Sequence, residues 1–253
     1  MRRPAALLLP LATGAALVAL WHLVVRWSGA TVFPAPGDVV AALAELAREG
    51  VLAPAVARSL ARVGSGYLLA LVVGVPLGML MGWSAGAARA LNPVVQVLRP
   101  ISPIAWIPVA IVLFKVGDGA AVFLIFLAAL FPIAVATMNG VRSLPPMVLL
   151  AGRNFGLSPP AVLARVVFPA ALPQVLVGLR IALGVAWLVV VAAEMSGIES
   201  GLGYLIIDAR NAGKRYDLVV AAMAVIGAIG LALDLLARRV ERLPAVRWGF
   251  RSD

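Results

Sequence analysis

The sequence contains no cysteine, one histidine and 11 acidic residues among its 253. The lack of cysteine excludes a disulfide framework, a thiolate metal site and a thiol nucleophile. Charged residues of both signs make up only 13% of the chain, against about 25% in an average soluble domain. The chain therefore offers little material for a metal centre or for an enzyme active site, including one placed inside a membrane.

Apolar residues and positive charge are abundant instead. Hydrophobic residues account for 63% of the chain and the formal net charge is +10, a balance that suits either nucleic acid or a membrane surface. Stretches of roughly 20 apolar residues, the length that crosses a bilayer as a helix, favour the membrane. Six such spans are predicted: residues 5–25, 63–83, 94–114, 120–138, 175–193 and 218–236. The sequence thus predicts an all-α integral membrane protein with a single transmembrane domain, residues 1–253.

The basic residues lie mainly on one side of these spans. Six spans put both termini on the same side, which carries 13 basic and three acidic residues, whereas the other side carries eight of each. The positive-inside rule makes the terminal side cytoplasmic. The net charge is therefore explained by membrane topology, and nucleic acid is not an expected partner.

The long cytoplasmic loop, residues 139–174, has the pattern of two short helices. Pro146 suits the first turn of the first helix, and Gly156 permits the left-handed turn that ends it. Ser158 is a candidate N-cap for the second helix, which Pro169 is expected to stop.

This loop also combines apolar and basic side chains at positions expected to be exposed. Because an apolar patch of this kind marks an interaction site more often than a free surface, the loop predicts a docking surface for a cytoplasmic partner. The apolar residues are Met147, Leu150, Phe155 and Leu157, and the basic ones are Arg153 and Arg165.

The loop resembles a known family. Residues 151–156 read AGRNFG and, nine residues later, residues 166–169 read VVFP. This pair is similar to the "EAA" loop of the membrane permeases of binding-protein-dependent ABC importers. Four other segments resemble the nitrate, sulfonate and taurine branch of that family, so that the likeness extends over nearly the whole chain: residues 59–67, 99–108, 178–187 and 201–210.

One part of the motif departs from the family's pattern. Leu150 stands where the motif has its glutamate, and Gly152 stands at its second alanine. The resemblance therefore implies a docking contact that is mainly apolar and backbone-mediated. It assigns to that contact Leu150, Ala151, Gly152, Arg153, Asn154, Phe155, Gly156, Leu157, Ser158, Arg165 and Pro169.

The resemblance implies a type I ABC importer permease fold with six transmembrane helices and a cytoplasmic coupling helix, in a bacterial inner membrane with both termini cytoplasmic. It also implies a homodimer with a second permease copy, surrounded by membrane lipid, two cytoplasmic ATPase subunits that bind ATP and Mg, and an extracytoplasmic solute-binding protein. No cofactor or catalytic residue is expected in this chain. Its sequence has no P-loop motif, since Gly213-Lys214 is followed by Arg215.

The resemblance makes a small anion such as a sulfonate, taurine or nitrate the expected substrate. The alternatives are a vitamin precursor or another small organic solute and, more distantly, a self-contained secondary transporter or channel, which would usually carry acidic or histidine residues at mid-membrane.

The irregular, proline-rich segment after Arg99 predicts a lining of the substrate pathway. Irregular backbone at membrane depth is tolerated only inside a protein or beside a water-filled cavity. For Glu194, at the outer end of the fifth span, a gating role and a structural hydrogen bond both remain open. The candidate pathway residues are Arg99, Ser102, Pro103, Trp106 and Glu194.

Overall fold

The computed structural model describes residues 5–28, 33–211 and 213–241, and every regular element in these ranges is helical, which confirms the predicted fold class. A 3₁₀ turn, Pro103–Trp106, precedes α5, and a π-helical turn, Leu163–Val167, joins α8 to α9. In chain order, the α-helices are α1 (Ala5–Ser28), α2 (Pro36–Arg48), α3 (Leu52–Trp83), α4 (Ala85–Leu98), α5 (Ile107–Phe114), α6 (Asp118–Arg142), α7 (Pro146–Asn154), α8 (Pro159–Val162), α9 (Phe168–Glu194), α10 (Leu202–Asn211) and α11 (Tyr216–Glu241).

Five helical stretches are long and apolar enough to cross a membrane singly: α1, α3, α6, α8 joined to α9, and α11. The sixth crossing, expected at residues 94–114, differs from a single straight helix. The chain bends by 87° between α4 and the segment Pro103–Phe114. Pro100 and Pro103 account for the break, because neither ring nitrogen can donate to the helical hydrogen-bond ladder.

The centre of the structure is a layer of three helices, with α6 between α3 and α9. Glycines of α3 bring its backbone against α6: a β-carbon at Gly82 would lie 2.6 Å from Val141, and one at Gly78 would collide with Ala134. On the other side of α6, Gly178 of α9 leaves no room for a β-carbon beside Ala136. Such close backbone approach is how membrane helices gain packing energy in the absence of a hydrophobic driving force between them.

The remaining long helices lie at the periphery. The apolar window of α1 is 0% buried within this chain, and that of α11 is 11% buried. The surface helix α2 is tied to the start of α11 through Arg215, whose guanidinium contacts Glu45 at 2.7 Å and Asp217 at 2.8 Å. These hydrogen bonds raise the pKa of Arg215 above its usual value.

The second predicted short helix does not end at Pro169, so that prediction is wrong. Helical backbone runs from Pro159 to Glu194 without a break. In the π-helical turn, the amide of Phe168 donates to the carbonyl of Leu163, five residues earlier. We attribute the continuity to this wider turn, which ends two positions before Pro169 and accommodates a residue that cannot donate to the ladder.

Candidate functional site

The cytoplasmic loop contains the predicted first helix, which the structure defines as α7. Gly156 follows it with φ +73°, which confirms the predicted left-handed turn. The amide of Leu157 then donates to the carbonyl of Gly152 at 3.3 Å. This long bond across a left-handed glycine is the Schellman arrangement, and it satisfies a carbonyl that the helix end would otherwise leave unpaired.

Three large apolar side chains of this loop are exposed, as predicted. The exposed fractions are 77% for Met147, 55% for Leu150 and 86% for Phe155. Leu157 is half-buried instead. The exposed surface formed by Met147, Leu150 and Phe155 is called the docking surface below.

The docking surface is fixed to the long helix that follows it. Gly152 is buried, and a β-carbon there would lie 3.3 Å from Val166 and 3.4 Å from Val162. Because that spacing is already tight, a residue larger than alanine at this position would push α7 away from the first turns of the α8–α9 helix. The exposed face and the buried face of α7 thus have separate roles.

Other residues assigned to the loop contribute less to this contact. Ser158 is the N-cap residue of α8, but its hydroxyl makes no capping hydrogen bond. Pro160, at the second helical position, has no amide hydrogen to offer, so that only the amide of Ala161 at the third position could have made this bond. Asn154, Arg165 and Pro169 are exposed, and the side chains of Ala151 and Arg153 lie outside the described part of the structure.

The bend between α4 and α5 groups four of the five candidate pathway residues. Arg99 and Ser102 are exposed at the break, whereas Pro103 and Trp106 are half-buried. Trp106 packs against the main hydrophobic core. The bend therefore exposes polar groups and irregular backbone next to an apolar wall.

Glu194, the fifth candidate, lies in a separate cluster. It is 1% exposed, and its carboxylate accepts hydrogen bonds from the hydroxyl of Ser59 at 2.8 Å and from Nη1 of Arg62 at 2.6 Å. Arg62 is also buried, at 3% exposure. Of the two roles left open for Glu194, these contacts favour the structural hydrogen bond.

Ser59 and Arg62 were missed by reasoning from the sequence, although a signal was present. Both lie on the stripe of α3 that also contains Ala55, Gly66 and Ala70, and all five are buried. An arginine on a stripe of small residues at helical spacing requires a buried partner, since an unpaired buried charge is too costly.

Arg180, which lies within the fifth predicted span, is likewise paired. Its Nε donates to Asp234 of α11 at 2.7 Å, and its Nη1 lies 3.3 Å from Glu241. The guanidinium is therefore engaged by two carboxylates of the neighbouring helix.

A family match spans most of this structure. The model for the binding-protein-dependent transport system inner membrane component matches residues 74–245, which include α6, the docking surface and α9. The chain belongs to this family of ABC importer permeases. The permease is 39% identical over 224 residues to a probable ABC transporter permease protein of Brucella melitensis, in a match that covers 88% of this chain and 89% of that protein.

Two relatives of the permease have named substrates. The bicarbonate transport system permease protein CmpB of Synechococcus elongatus is 38% identical over 251 residues, with 93% of this chain and 88% of that protein covered. The nitrate import permease protein NrtB of the same species is 40% identical over 187 residues, with 73% and 67% covered.

Among solved structures, an inward-facing form of the MetNI methionine ABC transporter matches the permease fold. The TM-score is 0.68 at 21% identity, and the match covers 76% of this chain and 95% of that chain. At this identity the likeness supports the fold alone.

Proposed function

We propose that the permease acts as a homodimer with two cytoplasmic ATPase subunits and an extracytoplasmic solute-binding protein, and that it imports a small anion. ATP and Mg²⁺ bind to the ATPase subunits, and the hydrolysis of ATP drives transport. The observation that carries this proposal is the docking surface of α7, an apolar face exposed on a loop of a membrane protein.

The docking surface has the chemistry of a protein contact. Covering a large apolar side chain contributes roughly 1.5–3 kcal/mol, and Met147, Leu150 and Phe155 are all available. With Leu150 in the place of the motif's glutamate, the contact gains no ion pair from that position. An apolar pocket on the ATPase subunit is the complementary partner.

The peripheral helices support a second copy of the chain. Both α1 and α11 present apolar faces that this chain alone does not cover. In a homodimer those faces pack partly against the second copy and partly against lipid. The substrate pathway then runs between the two copies. The exposed polar groups at the bend, Arg99 and Ser102, would line that pathway.

The layer of α3, α6 and α9 supports a simple mechanism. Its helices are too closely packed at Gly78, Gly82 and Gly178 to slide past one another. We therefore expect the layer to move as one body when the ATPase subunits close, carrying α7 with it, so that the cavity between the two copies opens alternately to either side.

The named relatives support an anion as the substrate. Nitrate and bicarbonate are small, planar and singly charged. The two permeases named for them are similar to this chain to about the same degree. We extend the same class, small oxyanions, to this permease, with sulfonates such as taurine included.

Transport in proteoliposomes tests the whole proposal. The permease is reconstituted with its ATPase and binding protein, and uptake of labelled nitrate, bicarbonate, taurine and choline, an organic cation, is measured. We expect uptake of nitrate, bicarbonate or taurine only when both partners and ATP are present. Uptake by the permease alone would instead indicate a channel or a secondary transporter, and ATP-dependent uptake of an organic cation alone would refute the anion assignment.

Variants of the docking surface test the partner contact. Phe155→Asp places a charge in the apolar contact, whereas Phe155→Leu keeps an apolar side chain at the same position. We expect Phe155→Asp to weaken association with the ATPase about 30-fold or more, as for a central contact worth about 2 kcal/mol, and Phe155→Leu to keep it. Equal association of both variants with the ATPase would show that the subunit docks elsewhere.

A further inference from the structure

The buried cluster around Glu194 joins three helices, α3, α9 and α10. On Glu194, one carboxylate oxygen accepts from Nη1 of Arg62, and the other accepts from the amide of Gly203 at 2.9 Å. The hydroxyl of Ser59 donates to the same carboxylate and accepts from the amide of Leu202 at 3.0 Å. The two amides belong to the first turn of α10, so the carboxylate and the hydroxyl together cap that helix.

Arg62 extends the cluster to the chain segment before α10 and to α6. Its Nη1 donates to the carbonyl of Ser200 at 2.7 Å, and its Nη2 donates to the hydroxyl of Ser200 at 2.5 Å. Its Nε donates to Asp118, the first residue of α6, at 2.7 Å. Arg62 is thus held by two carboxylates, so that the loss of one would leave the other as its partner.

Two glycines let α10 approach Glu194 this closely. A β-carbon at Gly203 would collide with the carbonyl of Val191, and one at Gly201, where φ is +104°, would collide with the carboxylate of Glu194. Charge, hydrogen bonds and shape therefore place the start of α10 against the last turns of α9.

The other end of the same helix carries the docking surface. The α8–α9 helix is continuous from Pro159 to Glu194, and α7 packs through Gly152 against Val162 and Val166 near its beginning. One unbroken helix thus has the ATPase contact at one end and α10 at the other.

On this basis, and resting on the proposed function, we propose that Glu194 is a positioning residue for coupled transport. It fixes α10 to the outer end of the α8–α9 helix, so that engagement of the solute-binding protein at the outer surface reaches the ATPase subunits through that helix. Glu194 itself touches no solute. Its role is to make α10 move together with the docking surface.

Two variants that differ in mechanism test this proposal in the reconstituted complex. Glu194→Gln removes the charge but keeps the shape, and Asp118 still pairs with Arg62. Gly203→Ala forces the start of α10 away from α9 without changing any charge. Gly37→Ala is the matched control, because Gly37 is also the second residue of a helix, α2, and a β-carbon there meets nothing within 4 Å.

The measurements are ATPase co-purification, basal ATP hydrolysis and the stimulation of hydrolysis by solute-loaded binding protein. We expect both variants to assemble and to keep basal hydrolysis, while the stimulation falls at least about fivefold, the lower end of typical coupling between sites. The Gly37→Ala complex should behave as the unmodified one. A role in folding alone would lower assembly and basal hydrolysis together, which the proposal does not predict.

Full stimulation in either variant would overturn the inference, and so would loss of assembly in both. These results are distinct from failure of the proposed function, in which the unmodified complex itself would show no stimulation by the binding protein.

Discussion

Arg58 and Arg62 lie one turn apart on α3, yet their surroundings are opposite. Arg58 is exposed, whereas Arg62 is buried and paired with Glu194 and Asp118. Removing one partner of a buried ion pair destabilises the fold far more than removing an exposed charge, because the buried charge that remains has no compensation. The two arginines of this helix therefore contribute very differently to the stability of the fold.

We expect Arg62→Ala to lower the free energy of unfolding by about 3–5 kcal/mol. Arg58→Ala, the control on the same helix, should change it by no more than about 0.5 kcal/mol. Thermal unfolding of the two purified variants in detergent measures the difference. Similar midpoints for both variants would contradict a buried role for Arg62.

The sequence alone could identify Glu194 and Arg62 as charged residues near span ends, but not as partners. They are separated by 132 positions, and their contact depends on how α3 packs beside α9. That packing in turn depends on glycine contacts with α6, which no local pattern specifies. By contrast, the exposed face of α7 was predictable, because helix periodicity and the Gly156 turn are local.

At the scale of elements, proline residues in this chain have two different effects on a helix, and the presence of proline alone does not tell which one occurs. Pro100 and Pro103 lie at a sharp bend, whereas Pro169 lies in a helix that continues through a π-helical turn. A missing amide hydrogen only removes one bond. Whether the chain bends or widens depends on the neighbours that are available to satisfy the freed carbonyls.

The bend between α4 and α5 should be reachable by water. Because the chain lacks cysteine, Ser102→Cys introduces a single thiol, and we expect a water-soluble maleimide to modify it because thiolate forms only in water. Val112→Cys, on the apolar surface of α5, is the control and should react slowly because lipid or the second copy covers it.

Labelling of the two variants in the assembled complex, with and without ATP, measures this access. A Ser102→Cys rate that depends on ATP would support a place in the pathway. Equal, slow labelling of both positions would show that the bend does not line the substrate pathway.

At the scale of the whole molecule, ion pairs follow the predicted sidedness of the membrane. In the described ranges, each pair joins residues at or near the same ends of the predicted spans. Arg62 with Glu194 and Asp118, and Arg215 with Glu45 and Asp217, lie toward the outer ends, whereas Arg180 with Asp234 and Glu241, and Arg238 with Asp234, lie toward the side of the termini. An error in the order of the spans would have placed partners on opposite faces. This agreement supports the predicted order of the spans, and the positive-inside rule then predicts that the docking surface lies in the cytoplasm.

Membrane-impermeant labelling tests that orientation. Lys214→Cys, just before α11, should react in intact spheroplasts, and Phe155→Cys should react only in inside-out vesicles. The reverse pattern would place the docking surface outside and would end the proposal that an ATPase binds there.

The unbroken helix from Pro159 to Glu194 also sets the distance between the ATPase subunits and the membrane surface. Its 36 residues extend over about 54 Å at 1.5 Å per residue, whereas a bilayer with its headgroups is about 40–45 Å thick. If Glu194 lies at the outer interface and the helix runs along the membrane normal, its other end lies about 10 Å beyond the headgroups of the opposite side. The ATPase subunits are then held in water rather than against lipid, so their attachment should be insensitive to the anionic lipid content of the membrane.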